Sequence, residues 1–355
     1  MKSNKKTSYS IPIVGFGAMT PLGINAPMSV ASIRAGITRF EEYPQMIDKS
    51  GELAVVSSAS YISEKITIIE RFLELGIPAA QESILYLGNC NVNQISIPII
   101  LGLPHPRPGL PENYDQIITN SFKEKLHKRK KFFIPSIKSI SCGHSAGLMS
   151  IETACDEIKN SNTDLILAGG LDSYFQLETL EWLDERNQLH SETNKYGFIP
   201  GEAASFCLLA SYDAVAKYNL NILGKIQNIT TSNETNLIYT DTICLGEGLS
   251  TALWQVMNNL QEDLKIHQTI CDLNGERYRV DEYGFTLVRS REYFENPSEM
   301  ITPAEFCGDT GAASGPLFIC IALIGNQKGY NKGANTLIHT SSESGERTVA
   351  LISSP

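Results

Sequence analysis

Two short runs hold the side chains whose types and spacing could do chemistry. In Ser141-Cys-Gly-His-Ser-Ala-Gly147, Cys142 and His144 lie at the predicted start of a helix. There the positive end of the helix dipole stabilises a thiolate and keeps an imidazole neutral. In Cys307-Gly-Asp-Thr-Gly-Ala312, Asp309 precedes a second predicted helix, where a carboxylate can accept from backbone N–H groups two or three residues later. Two roles are open to each residue: local capping and packing, or a hydrogen bond between His144 and Asp309. A third run, Asp272-Leu-Asn-Gly-Glu-Arg-Tyr-Arg279, follows an apolar strand. Arg277 and Arg279 carry the planar fork that grips carboxylate or phosphate. The alternation of Glu276, Arg277, Arg279, Asp281 and Glu282 fits a self-satisfied loop better than an anion site.

The other chemistries find little support. No His, Cys, Asp and Glu set has metal-ligand spacing, and Gly15-Phe-Gly-Ala-Met lacks the third glycine and helix of a dinucleotide fingerprint. Neither metal nor nucleotide cofactor is expected. The eight cysteines include no CxxC pair and mostly sit in apolar runs, which reads as buried, reduced thiols in a cytoplasmic protein.

The elements that must position these residues are those of an α/β protein. Leu148, Ile151, Cys155 and Ile158 recur on one helical face, and Thr163 to Gly170 follows as a buried strand ending in two glycines. Gly201 opens another strand, Ala203 to Leu209. Further helices are predicted over Pro27–Ala35, Arg71–Leu85 and Ala313–Leu323, and strands over Ile11–Gly15 and Ile95–Leu101. The run from Cys142 to Gly147 echoes that from Cys307 to Ala312 at a separation of 165 residues, which suggests two duplicated halves facing each other. On that register Cys142 and Cys307 are mates. The loop Pro104-His-Pro-Arg-Pro-Gly-Leu-Pro111 is stiffened by four prolines and reads as a surface connection, with a partner-contact ridge as the alternative.

In 355 residues, 42% are apolar and 19% charged, with a net charge of −10, a globular composition with core enough for one duplicated domain, read as halves 1–215 and 216–355. The acidic balance argues against nucleic-acid binding, and the basic run Lys123–Lys131 has no interleaved aromatics to stack bases, so it reads as a solvated helix face. No secretion signal or membrane span is expected: the N-terminal apolar stretch is broken by Pro12, Gly15 and Gly17, and Ile95–Leu103 is short and holds Pro98.

Together these pieces resemble the β-ketoacyl synthases of the thiolase superfamily. Val14-Gly-Phe-Gly-Ala-Met-Thr-Pro-Leu-Gly23 is similar to that family's opening strand and turn, and Arg71–Leu85 to its early helix. Thr163–Gly170 and Gly197-Phe-Ile-Pro-Gly-Glu-Ala-Ala204, which contains Glu202, resemble its middle strands in the right order. The resemblance covers most of the chain and implies a duplicated, five-layer α-β-α-β-α thiolase-like fold that pairs as a dimer through an edge strand. It also implies a cysteine that takes the acyl chain and two histidines that serve decarboxylation and the enolate.

At those positions stand His144, Asn274 and Asp309, Ala304 replaces a nearby lysine, and Ser341-Ser-Glu-Ser-Gly-Glu-Arg347 replaces a glycine-rich loop. Cys142, two residues from the nucleophile position, is the remaining thiol candidate. Glu276, Arg277, Ser341 and Glu202 fall where the family's fold would direct them to the pocket. The expectation is a protein that has lost condensation and works as a non-catalytic partner. That partner is a silent subunit beside a ketosynthase in a homodimer or heterodimer, or an adaptor for a type VI secretion effector, with acyl carrier protein or acyl-CoA as further contacts. The alternative is an acyltransferase using His144 as base or nucleophile, Asp309 as orienting group and Asn274 as oxyanion donor. An enzyme is expected to keep an open acyl tunnel leading to His144 and an adaptor to fill it with side chains, and filling is the expectation here.

Overall fold

A computed structural model describes residues 10–88, 95–127, 133–161, 163–240, 242–258, 260 and 263–355. Cys90 and the end of the basic run, 128–131, lie outside them. In chain order the strands are β1 (Ile11–Met19), β2 (Glu41–Ile47), β3 (Leu53–Val56), β4 (Ile99–Leu103), β5 (Ile137–Ser141), β6 (Leu165–Ser173), β7 (Glu202–Ala210), β8 (Gly224–Asn233), β9 (Gln268–Cys271), β10 (Met300–Ile301), β11 (Asn335–Ser341) and β12 (Glu346–Ser353). The helices are α1 (Ala26–Arg34), α2 (Ile68–Leu85), α3 (Tyr114–His127), α4 (Ala146–Asn160), α5 (Leu177–Glu185), α6 (Tyr212–Tyr218), α7 (Glu247–Asn258), α8 (Arg277–Ser290), α9 (Ala304–Cys307) and α10 (Ser314–Lys328).

Ten strands form one sheet in the order β10-β9-β11-β12-β8-β1-β7-β6-β4-β5. Its two halves repeat one pattern. From β1 outward the pairings run antiparallel, antiparallel, parallel, parallel, and from β8 outward they run the same way. The halves join where Ile11–Ile13 pairs with Gly224–Ile226, and α6, which contains residue 215, carries the chain between them.

Helices α4 and α10 pack on each other between the two half-sheets, α2 and α3 cover the outside of the first, and α7 and α8 cover the second. This is the five-layer arrangement. The sequence explains it: β1, β4, β6 and β7 are buried along their whole length, as sheets covered on both faces require. Residues Ser314 to Gly325 of α10 are likewise buried on every side, as a central helix must be. Gly170 lets α10 approach the sheet, because a Cβ there would stand 1.9 Å from the Ala312 carbonyl oxygen.

Helix α2 starts three residues before the predicted Arg71, because Thr67 and Glu70 close a capping box: Glu70 N–H donates to Thr67 Oγ1 (3.2 Å) and Thr67 N–H to Glu70 Oε2 (2.9 Å). Every cysteine among the described residues is a free thiol. No helix among them is long and apolar enough to cross a membrane.

The echo between the halves sits in a different register from the predicted one. The turn Gly143–Ser145 leads into α4 as the turn Gly311–Ala313 leads into α10, both turns begin on a positive-φ glycine, and both helices have 15 residues. Structural mates are therefore Gly143 with Gly311 and His144 with Ala312, which moves the match by three residues. Cys142 and Cys307 are not mates.

Candidate functional site

The starts of α4 and α10 meet beside the ends of β6, β9 and β11, and His144, Asn274 and Asp309 converge there. His144 Nε2 lies 2.9 Å from each carboxylate oxygen of Asp309. Asp309 also accepts from Asn274 Nδ2 at 2.6 Å, Gly311 N–H at 2.8 Å and the Tyr174 hydroxyl at 3.3 Å. It thus caps its own turn and holds His144 at once. Its backbone is fixed by the segment before β7, where Asp309 N–H donates to the Ile199 carbonyl and Gly201 N–H donates to the Asp309 carbonyl, each at 2.8 Å.

Arg279 anchors this cluster. Its Nε donates to Glu276 Oε2 at 2.8 Å, and its Nη1 donates to Asp272 Oδ2 at 2.9 Å and to the Ser341 carbonyl at 2.7 Å. Its Nη2 stands 3.5 Å from both ring nitrogens of His144, so the guanidinium lies against the imidazole. Asn274 Nδ2 also reaches Glu276 Oε2 at 3.1 Å. Ser341 Oγ donates to Glu282 Oε2 at 3.0 Å, and Arg347 Nε donates to Glu282 Oε1 at 2.6 Å. Every charged member of the set is buried, and buried charges persist only when paired this way.

This electrostatic setting opposes the depression of the His144 pKa expected from the helix dipole. Burial pushes the imidazole down, but Asp309 pushes it up further, against the opposing charge of Arg279, and leaves it above its ordinary value. A carboxylate in direct contact outweighs the helix dipole, worth about 0.3–1 kcal/mol. Burial alone would raise Asp309, yet His144, Arg279 and Asn274 hold it well below the usual carboxylate range. Each partner thus favours the charged form of the other.

The remaining candidates divide. Glu276 belongs to the buried network, and burial pushes its carboxyl up against the pull of Arg279. Arg277 does not: its side chain is 72% exposed and pairs with Asp281 at 3.5 Å along α8. The predicted self-satisfied loop is thus half right, since the chain turns into a helix at Arg277 and faces that arginine to solvent. Glu202 is buried but serves the scaffold. It takes Arg71 through both oxygens at 2.6 Å, the Ala59 N–H at 2.7 Å and the Ser173 hydroxyl at 2.8 Å.

Cys142 is half-buried, and burial raises its thiol pKa above the ordinary value. The run Gly143–Gly147 also has the G-x-S-x-G spacing of a nucleophile elbow. Ser145 Oγ, however, is buried and lies 3.0 Å from the Thr340 carbonyl oxygen and 2.9 Å from that of Glu346, a structural role.

A cleft of about 330 Å³ reaches Cys142, His144 and Asp172, so the pocket is open where filling side chains were expected. The proline loop contributes to it, which corrects its reading as a surface connection. Arg107 turns inward and its Nη2 donates to Asp172 Oδ1 at 2.6 Å and to the Ser173 carbonyl at 2.7 Å. Sequence reasoning missed Arg107 and Asp172. The available signal was that both follow predicted strands, β4 and β6, whose ends meet at the site.

The protein has the thiolase-like ketosynthase fold. Over 98% of its length it is similar to the ishigamide ketosynthase/chain length factor, with TM-score 0.79 and 12% identity over 99% of that chain. It is also similar to a chain of a type II polyketide synthase complex of acyl-carrier protein with its ketosynthase bound to the hexaketide (0.76, 13%, 99% of that chain). A ketosynthase from module 6 of the bacillaene synthase from Bacillus subtilis 168 follows (0.72, 14%, 72% of that chain). No family model and no curated protein matches the sequence.

Proposed function

We propose that this chain is a ketosynthase-fold protein that does not condense acyl groups and acts as a non-catalytic partner. Its two halves, 1–215 and 216–355, act as one duplicated unit. The observation that carries this reading is the buried contact of His144 Nε2 with both Asp309 oxygens, with Asn274 beside it. An imidazole whose Nε2 is held by a carboxylate and whose Nδ1 stands 3.5 Å from the Arg279 guanidinium is poorly placed for attack or for taking a proton. Without the acylated cysteine and the two histidines, neither the acyl-enzyme nor the enolate is supported. Cys142 does not replace them, because its raised pKa leaves it a thiol.

The ketosynthase/chain length factor among the similar structures supports a subunit paired with an active ketosynthase. The ketosynthase bound to its acyl-carrier protein supports a carrier as a further contact. An adaptor for a type VI secretion effector is the other non-catalytic role for the same surface.

Intact-protein mass spectrometry after incubation with acyl-CoA and acyl-carrier-protein donors tests the reading, comparing wild type with His144→Ala and Cys142→Ala. No adduct is expected under any donor. An adduct lost in either variant restores the acyltransferase alternative and names its nucleophile. Co-purification with a ketosynthase supports the silent subunit, whereas co-purification with an effector protein alone moves the role to the adaptor.

A further inference from the structure

Arg107 carries a donor that the protein leaves without a partner. Its side chain is 7% exposed, and its Nη2 is taken by Asp172 and Ser173. Its buried Nε–H has none. Asp172 cannot turn to it, because its second oxygen accepts from Ala312 N–H at 3.0 Å. A buried guanidinium N–H without an acceptor costs free energy that a ligand reaching it would restore.

The surroundings narrow the ligand. Arg107 lies 4.3 Å from the centre of the Tyr174 ring, and buried Phe198 lines the same cleft. Towards solvent, the Arg186 guanidinium stands 4.7 Å from the Trp182 ring centre and 4.1 Å from that of Tyr239. The surfaces are thus aromatic rings and the faces of cations, which favour a flat, polarisable guest. Among the lining charges, Arg107 and Arg186 balance Asp172 and Glu343, and the unpartnered group is a cation's N–H, so the missing partner is an acceptor such as a carboxylate oxygen. The volume of about 330 Å³ lies at the small end of ligand pockets, about 300–1,000 Å³.

We propose that this cleft binds a small aromatic carboxylate, whose carboxylate accepts from Arg107 Nε–H while its ring lies among Tyr174, Trp182 and Phe198. The inference rests on the non-condensing reading, in which the cleft is free of acyl transfer. A saturated acyl chain would bring no flat face to those rings.

Isothermal titration of the full chain with 2-naphthoate tests it, against the uncharged 2-naphthylmethanol and the non-aromatic octanoate. One naphthoate is expected per chain, bound about tenfold or more tighter than either control, as one charge-assisted hydrogen bond implies. Trp182→Leu and Arg186→Gln, both partly exposed, should each weaken it. Arg107→Met should abolish it, but that change strips Asp172 of its partner, so the two rim variants keep the test valid if it fails to fold. Equal affinity for naphthoate and naphthylmethanol, an affinity unchanged by Trp182→Leu, or no heat at millimolar ligand overturns the proposal. A blank titration alongside a clean mass spectrum removes the ligand alone, whereas an acyl adduct removes the reading beneath it.

Discussion

At the start of α4 the turn opens on Gly143 with φ +73°, and at the start of α10 it opens on Gly311 with φ +50°. Each helix end is capped from the opposite half. Ser342, following β11, accepts the Ser145 N–H at 2.8 Å, and Asp172, near the end of β6, accepts the Ala312 N–H at 3.0 Å. The backbones match and the side chains diverge. The α10 start receives two carboxylates, Asp172 and Asp309, while the α4 start receives a hydroxyl and presents His144. Duplication thus supplied two equivalent anion-receptive ends. What differs is where the negative charge went, and the charge at α10 is what holds His144 and raises its pKa.

Arg279 lies under both ends, and removing it should have the largest effect. Arg279→Met leaves Asp272 and Glu276 without their cation, with the side chains of all three at most 4% exposed. Stripping one partner from a buried pair costs about 3–5 kcal/mol. Denaturant unfolding should register that loss. A variant within about 1 kcal/mol of wild type would mean that the network is hydrated in solution and does not hold the two ends together.

The two glycines allow the comparison to be broken at one position. Both have positive φ, so alanine costs each about 1–2 kcal/mol of backbone strain. At Gly143 the new Cβ has room, its nearest neighbour being Ser342 Oγ at 3.7 Å. At Gly311 it would meet Asp172 Oδ2 at 2.0 Å, and that carboxylate is tethered by both Arg107 and Ala312. Gly311→Ala should therefore be clearly the more destabilising in thermal melts. Equal melting temperatures would show that Asp172 can swing away, and with it the cap that distinguishes α10.

Much of the scaffold was legible from the chain, because its signals are local. The apolar run of β6, the helical spacing of α4 and the small residues opening α10 each describe their own surroundings. The halves were legible too, but three residues out of register. Gly308 and Gly311 both take positive φ, and the shared Cys-Gly pair drew the match to the first, whereas the turn that mirrors Gly143 begins at the second. His144, Asn274 and Asp309 could be brought together because the family resemblance located each one. Arg107 and Asp172 could not, since a pair 65 residues apart leaves no periodic trace. Helix α8 misled for a different reason: beside Tyr283 it buries Arg279, Glu282, Thr286 and Ser290, while it exposes Val280, Phe285 and Val288, against the usual pattern. Its polar face is turned inward by the charge network, and reading this run as a loop leaves nothing to separate buried Arg279 from exposed Arg277.

The smallest effect should be a slope with pH, and it bears on the charge of His144 directly. A histidine held above its ordinary 6.5 contributes stability that is fully present below 6.5 and is lost as pH rises through the folded value. Asp309 is held low, so its contribution is present above its ordinary 3.8 and is lost only on strong acidification. Between pH 5.5 and 8.5 the pair should therefore weaken with rising pH. The other buried histidine, His339, moves oppositely: burial pushes its ring down to about 4, so it favours folding more as pH rises towards 6.5. Comparing wild type with His144→Gln cancels that shared term. The gap in melting temperature between the two proteins should narrow as pH rises across this range. A gap that stays constant would mean that His144 keeps one charge state throughout, and a gap that widens would mean that the imidazole is neutral when folded and that the helix dipole, not Asp309, governs it.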